Sequence, residues 1–466
     1  MATPLDPSEE PPGSLDPLGT LNPAERMAEV LLPGFTVRMW RARLLTFTAL
    51  AAVVADRTVS LMNDQEERRL EARLAFERLF VAGVIRTHYE DPSDYALARR
   101  LLPGSDLARA AMLAGEPLTR ANFLKGQAVN GPFGVMARLA RRLELVDDDG
   151  RIGRQGIGLL IAWADDERLP GVLDEMGPSN HAGVAWMAAA VKATAACLSK
   201  KVWPGGSQPI WRQLASHLRP DRPSRAERGV LVKLLETDPI RARVIGLLKE
   251  HIEVYRVARA RGDRGVTERT VVRRAIRPHL QSDAVDNVIA TVTSALDIYE
   301  STTALLQQAF DGLAWGLKHR GGRAEPEVLL SDPLLARHLE RTWAAMAKLI
   351  VPLERSIEAL RAEPALRHLA EPLARLREDA LASLESPRHL ADTVLQRHHY
   401  VQREKRKAPW IESDSRWTLA PGNSSPDSDT PPSWENKYLH PLKIQNAYAI
   451  LSDLRQVAME NGDGQE

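Results

Sequence analysis

Residues 105–163 read SDLARAAMLAGEPLTRANFLKGQAVNGPFGVMARLARRLELVDDDGRIGRQGIGLLIAW, and the order of elements in this stretch sets the expected fold. A short helix over 106–114 leads into a second that starts at Thr119, and Asn130-Gly131-Pro132 interrupts the chain. A third helix over 133–143 turns Val135, Met136, Leu139 and Leu143 toward a core and places Arg138, Arg141 and Arg142 elsewhere on its surface. ELVDDDGRIG then sets short apolar runs on either side of an Asp-Gly turn, the signature of a hairpin, with Arg151 and Arg154 on it or beside it. Three helices followed by a hairpin is the order of a winged helix-turn-helix, in which the third helix reads the major groove and the wing lies along the backbone. A small helical domain with a surface hairpin, or a winged helix used for protein docking, has the same order.

On the N-terminal side, QEERRLEARLAFERLFVAGVIR carries Phe76, Leu79, Phe80, Gly83 and Val84 at helical spacing, one buried stripe with charges opposite. LLTFTALAAVVA, residues 44–55, is apolar but flanked by Arg41, Arg43, Asp56 and Arg57. It falls short of the ~20 residues that span a bilayer, so a buried helix and no membrane contact are expected. On the C-terminal side, residues 164–395 are helical by pattern without a fixed repeat. AAMAKLIVPLERSIEALRAEPALRHLAEPLARLREDALASLE, rich in Ala, Leu, Arg and Glu, reads as long helices packed on each other or on a partner.

A chain of 466 residues exceeds one ordinary core. Its 44% hydrophobic and 26% charged residues suit a globular protein. The expected organisation is an acidic Pro-rich arm over 1–25, an N-terminal helical domain over 26–165 containing the winged-helix-like unit at 105–163, and a second helical domain over 166–395. A basic segment, a Ser/Pro/Asp-rich loop and a closing helix follow over 396–456, then a tail over 457–466. The fold class is mainly α, a multi-helical protein with an embedded winged helix-turn-helix-like unit and little β. The single cysteine, Cys197, excludes an intramolecular disulfide and a multi-thiolate zinc site, fits a small core residue, and agrees with a reducing cytoplasm.

The net charge of +1 confines any nucleic-acid surface to local patches. LQRHHYVQREKRKAPWIE, residues 395–412, sets Arg397, Arg403, Lys405, Arg406 and Lys407 against Glu404, with Tyr400 and Trp410 available for stacking. His398 and His399 diverge on a helix or a strand, so by themselves they do not form one metal site. RVARARGDRGVTERTVVRRAIR, residues 256–277, holds eight arginines against Asp263 and Glu268, and Thr267 with Thr270 reads as a helix start. Arg273 and Arg274 are the phosphate-binding candidates there, because a guanidinium donates two parallel hydrogen bonds. In both stretches a solvated charged face is the competing structural reading.

Phosphate-loop, dinucleotide and nucleophile-elbow motifs are missing, and the glycines of GRIGRQGIG are wrongly spaced for a phosphate loop. No cofactor, metal or catalytic residue is expected. LLPGFTVRMWRAR at 31–43, the unit at 122–151 and RHHYVQREKRKAPW at 397–410 together resemble uncharacterised bacterial proteins of anti-phage defence islands. That resemblance implies a role beside DNA-processing or ATP-driven partners. The expectation is a non-enzymatic nucleic-acid-binding component, with DNA as the ligand. A protein-recruiting scaffold and an unrecognised nuclease are the alternatives.

Overall fold

The structure, a computed structural model, describes residues 16–63, 68–90, 102–177, 180–200, 210–252, 267–420, 429–433 and 439–457. Residues 1–15 of the arm, the arginines at 256, 259, 261 and 264, residues 421–428 of the polar loop and residues 458–466 of the tail lie outside the described residues. The chain is mainly helical, 70% helix against 3% strand. Its described residues divide into two compact units, one from within 32–245 and 443–457, the other from within 16–31 and 246–442. Each unit therefore gathers stretches that are distant in the sequence.

The first unit is built on α2 (Arg43–Leu61), and all of residues 44–55 are buried. By length and composition this helix could cross a membrane, but 72% of that window is covered by the rest of the fold. Its partner is α3 (Arg69–Glu90), whose Phe76, Leu79, Phe80 and Val84 are all buried. Phe47 of α2 stacks on Phe76 and Phe80 with ring centroids at 5.5 and 4.4 Å. Such pairs add to area burial, so this three-ring stack anchors the unit.

Within 105–163 the structure has α4 (Ser105–Leu113), α5 (Gln127–Asn130), α6 (Pro132–Arg142) and α7 (Arg154–Asp166). The hairpin is present as an antiparallel bridge between Val146 and Ile152, with Gly150 at φ +75° in its turn. The helix expected from Thr119 is replaced by turns. The Asn122 side chain accepts from the Thr119 backbone N–H at 2.7 Å and donates to the Pro117 carbonyl, and such local bonds compete with a helix. α6 is an interior helix, with every residue from Pro132 to Ala137 buried.

The second unit wraps the 36-residue helix Ala284–His319, roughly 54 Å long at 1.5 Å per residue. It is buried along most of its length, and Asp283 caps it by accepting the Asp286 N–H at 2.8 Å. Against it pack α1 (Leu21–Leu31) and the helices Pro333–Ala347, Ile350–Ala362, Ala370–Ala382 and Pro387–Glu404. A small antiparallel sheet joins β1 (Arg323–Ala324), β2 (Ile411–Ser413) and β3 (Trp417–Leu419) in the order β1-β3-β2. Strands of two or three residues are too short to show the alternation by which strands are read from sequence.

Candidate functional site

The residues at 395–412 form an internal clasp. The helix Pro387–Glu404 carries the cations toward the N-terminal segment at 16–18, where three side chains donate to consecutive carbonyls. Lys405 Nζ donates to Asp16 O at 2.8 Å, His398 Nδ1 to Pro17 O at 2.9 Å, and Arg397 Nε to Leu18 O at 2.7 Å. Arg397 also pairs with Asp379. His398 is fully buried against Phe310 of the long helix, and its Nε2 accepts the Trp410 N–H at 2.8 Å. That acceptor role fixes the proton on Nδ1. His399 Nε2 donates to Ile411 O at 2.7 Å. The histidine pair thus serves backbone geometry, and two of the five cations are held by carbonyls of the same unit. Arg403 and Arg406 are exposed, Lys407 is half-buried, and the Arg403 guanidinium lies 5.8 Å from the ring centre of exposed Tyr400.

Burial pushes the pKa of His398 down to about 4 from its ordinary 6.5. Because the folded value is depressed, this site's stabilisation is complete above pH 6.5 and is lost as the pH falls toward 4. The expected loss is about 3 kcal/mol, from 1.36 kcal/mol per pH unit. In denaturant titrations between pH 7 and 4 the native chain should lose about 3 kcal/mol more than His398→Gln, whatever other groups contribute to both. An equal slope in both would remove His398 as the cause.

The arginines at 269–277 have a different geometry. Thr267 and Thr270 form the expected helix start, followed by the short helix Glu268–Val271 and a π-turn over Val272–Ile276. Three guanidinium groups converge on the single carboxylate of Asp297. Arg269 Nε reaches it at 3.0 Å and Arg273 Nη2 at 2.6 Å, while Arg277 Nη1 stands 3.8 Å away. Arg269 also donates to Ser301 Oγ at 2.6 Å. Asp297 is a carboxylate that all three guanidiniums share, which holds them side by side. Arg273 and Arg277 remain 48% and 39% exposed, and Arg274 beside them is exposed.

The wing residues sit in mixed charge. Arg142, Arg151 and Arg154 are exposed, but so are Glu144, Asp147, Asp148 and Asp149 around the same turn. Arg154 is 3.9 Å from Glu144, and the Asp147 carboxylate accepts the Arg151 N–H at 2.8 Å. Arg138 and Arg141 are half-buried. The wing therefore offers no excess of positive charge, and the N-terminal half of α6, which would face base edges in a reading helix, is inside the core. The sequence-derived residues accordingly fall into three separate sets, one in the first unit and two in the second. Within the second unit, Asp297 and Phe310 mark their positions on the long helix, thirteen residues or roughly 20 Å apart.

Buried polar groups escaped the sequence reading. Arg43 is 1% exposed, with Nε 2.9 Å from Glu227 Oε2 though angled away from a straight hydrogen bond. It also donates to Glu167 at 3.3 Å and to the His217 carbonyl at 2.5 Å. Glu227 is fully buried, accepts from Thr46, and caps the helix Arg225–Leu235 through the Ser224 N–H at 2.8 Å. SRAE at 224–227 carries the Ser-x-x-Glu spacing of a capping box, the one signal that could have found Glu227. In the second unit Glu300 Oε1 pairs with His440 Nδ1 at 2.6 Å, and His440 Nε2 meets the Thr20 hydroxyl at 3.0 Å. The connectivity is that of a carboxylate–imidazole–hydroxyl relay. All three residues are buried, and the relay latches Thr20 of the N-terminal segment to the long helix.

No family model, curated protein or solved structure matches the chain. Among the described residues there is no cluster of three His, Cys, Asp or Glu side chains able to hold a metal ion.

Proposed function

We propose that the protein is a non-catalytic helical component that grips nucleic acid by its phosphate backbone, through the arginine face formed by Arg269, Arg273, Arg274 and Arg277. The observation that carries this reading is the convergence of three guanidiniums on Asp297. The carboxylate preorganises them, and the exposed guanidiniums of Arg273, Arg274 and Arg277 suit phosphate, which such groups bind through paired hydrogen bonds. A backbone grip of this kind carries no base preference. The segment Tyr400, Arg403, Arg406 and Lys407 is a second, smaller contact. The hairpin unit at 105–163 takes no groove-reading role here, because its third helix is interior and its turn is rich in carboxylates.

The test is binding of a fluorescent DNA duplex by anisotropy over a salt series, on the native chain and on Arg273→Ala/Arg274→Ala/Arg277→Ala. Each phosphate contact contributes roughly 0.9 to the slope of log K against log salt, so the triple variant should lose about 2 to 3 units of slope. Absence of binding at low salt, or an unchanged slope, would refute the assignment. A recruiting scaffold is the second reading, favoured by Val328, Leu334, Val351 and Leu381, which are 39–54% exposed on helices of the second unit. A stable protein complex that survives nuclease treatment would favour it over backbone binding.

A further inference from the structure

A cavity of about 470 Å³ opens in the first unit between α3, the turn at 118–121 and the C-terminal part of α8 (Ala182–Lys200). Its volume lies in the range of small-molecule sites. Leu74, Ala75, Leu118 and Leu198 give it apolar walls. Glu71, Arg78, Thr119, Arg120 and Cys197 supply the polar part.

Among the lining residues two guanidiniums, of Arg78 and Arg120, stand against one carboxylate, of Glu71. Glu71 also lies 3.5 Å from Arg68. Arg78 is held by a neutral partner, its Nη1 donating to Gln127 Oε1 at 2.7 Å. Gln127 is itself fixed, because its Nε2 donates to Glu77 at 2.8 Å and to the Leu74 carbonyl at 2.9 Å. The Arg78 guanidinium is thus positioned without being neutralised by its hydrogen-bond partner. Burial lowers its pKa and Arg120 acts in the same direction, while Cys197, Glu77 and Glu71 oppose them. Cys197 does not supply the counter-charge, since burial pushes its thiol up to about 11.

The geometry points to a binding site for a small organic anion, an apolar body bearing one carboxylate or phosphate group, with Arg78 and Arg120 on the anionic head and the leucines around the body. Both head groups match the planar fork of a guanidinium. An alcohol of the same chain length would gain the apolar contacts without the ionic ones. The site lies in the unit that takes no part in the proposed nucleic-acid grip, so the two proposals stand or fall separately.

Cys197 is the only cysteine in the chain and lines the cavity, which makes it a local reporter. The experiment measures its alkylation by N-ethylmaleimide, with octanoate, octyl phosphate or octanol present, alongside calorimetric titration of each compound into the native chain. Octanoate or octyl phosphate at ten times its Kd should slow alkylation about tenfold, as occupancy by mass action requires. Octanol should not, and the stronger of the two anions identifies the head group. Arg120→Met, at an exposed position, should abolish the protection while circular dichroism shows the fold retained. Arg78→Met should do the same, and the Arg120 variant decides if that protein does not fold. Equal protection by octanol, protection unaffected by Arg120→Met, or neither heat nor protection with both anions would overturn the proposal.

Discussion

Arg43→Met is expected to lower the stability of the first unit by about 3 to 5 kcal/mol, the range for breaking a buried ion pair from one side. The loss of attraction is only part of the cause. Glu227, fully buried, would lose the cation that opposes its burial and keep Thr46 and the Ser224 N–H as its hydrogen-bond donors. The carbonyl of His217 would lose one of its two donors, keeping the Trp163 indole N–H at 2.9 Å. That indole sits beside the break and provides a fluorescence signal for urea unfolding. A cost below about 1 kcal/mol would mean that the site is wet or that Glu227 is already neutral. Burial indeed raises the pKa of Glu227, opposed by Arg43. Arg43→Met combined with Glu227→Leu should recover part of the loss, because it removes the orphaned charge along with its partner.

Raising the pH from 4.5 to 7 is expected to remove about 3 kcal/mol of stability through Glu77 alone, at 1.36 kcal/mol per pH unit. This residue is fully buried, and burial lifts its pKa from 4.5 to about 7. Since the folded value is the higher one, the contribution is complete below pH 4.5, where both states are protonated. It falls as the unfolded chain ionises and is gone above pH 7. The position explains why a carboxyl group is retained there. α6 begins at Gly131, which has no side chain to cap it, and Glu77 reaches across from α3 to accept the Phe133 N–H at 3.0 Å. A Cβ on residue 131 would stand 2.3 Å from Glu77 Oε2, so the capping carboxyl and the glycine require each other. Glu77→Gln should forfeit the bond from Gln127, about 1 kcal/mol, and flatten the pH profile between 4.5 and 7. A native slope in that variant would show that another group titrates.

What could be read from the sequence was what depends on near neighbours in the chain. The buried stripe of α3, the interior position of residues 44–55, the helix start at Thr267 and the Asp-Gly turn with Gly150 all express periodicity or turn chemistry within a few residues. The charge at 395–412 was equally visible, but its destination was not. Whether Lys405 faces phosphate or the Asp16 carbonyl depends on a segment 389 positions away. Likewise the eight arginines at 256–277 gave no hint of Asp297, whose carboxylate turns part of that run into an ordered face. Glu77 and Glu300 lie in helical sequence with no local signal that marks either as buried. Their partners, Phe133 and His440, come from elements that no local pattern connects to them.

The same clasp bears on how the protein is made. Asp16, Pro17 and Leu18 leave the ribosome long before the helix that will hold them exists. At about 5 to 20 residues per second, the 389 positions between Asp16 and Lys405 correspond to roughly 20 to 80 s of translation. Throughout that interval the early segment waits without its donors while the whole Leu32–Ile245 stretch is synthesised and free to collapse. The second unit can close only after Lys405 has been made, so a nascent chain stalled before residue 397 would carry an unfinished half whose strap at 16–18 has nothing to fasten to.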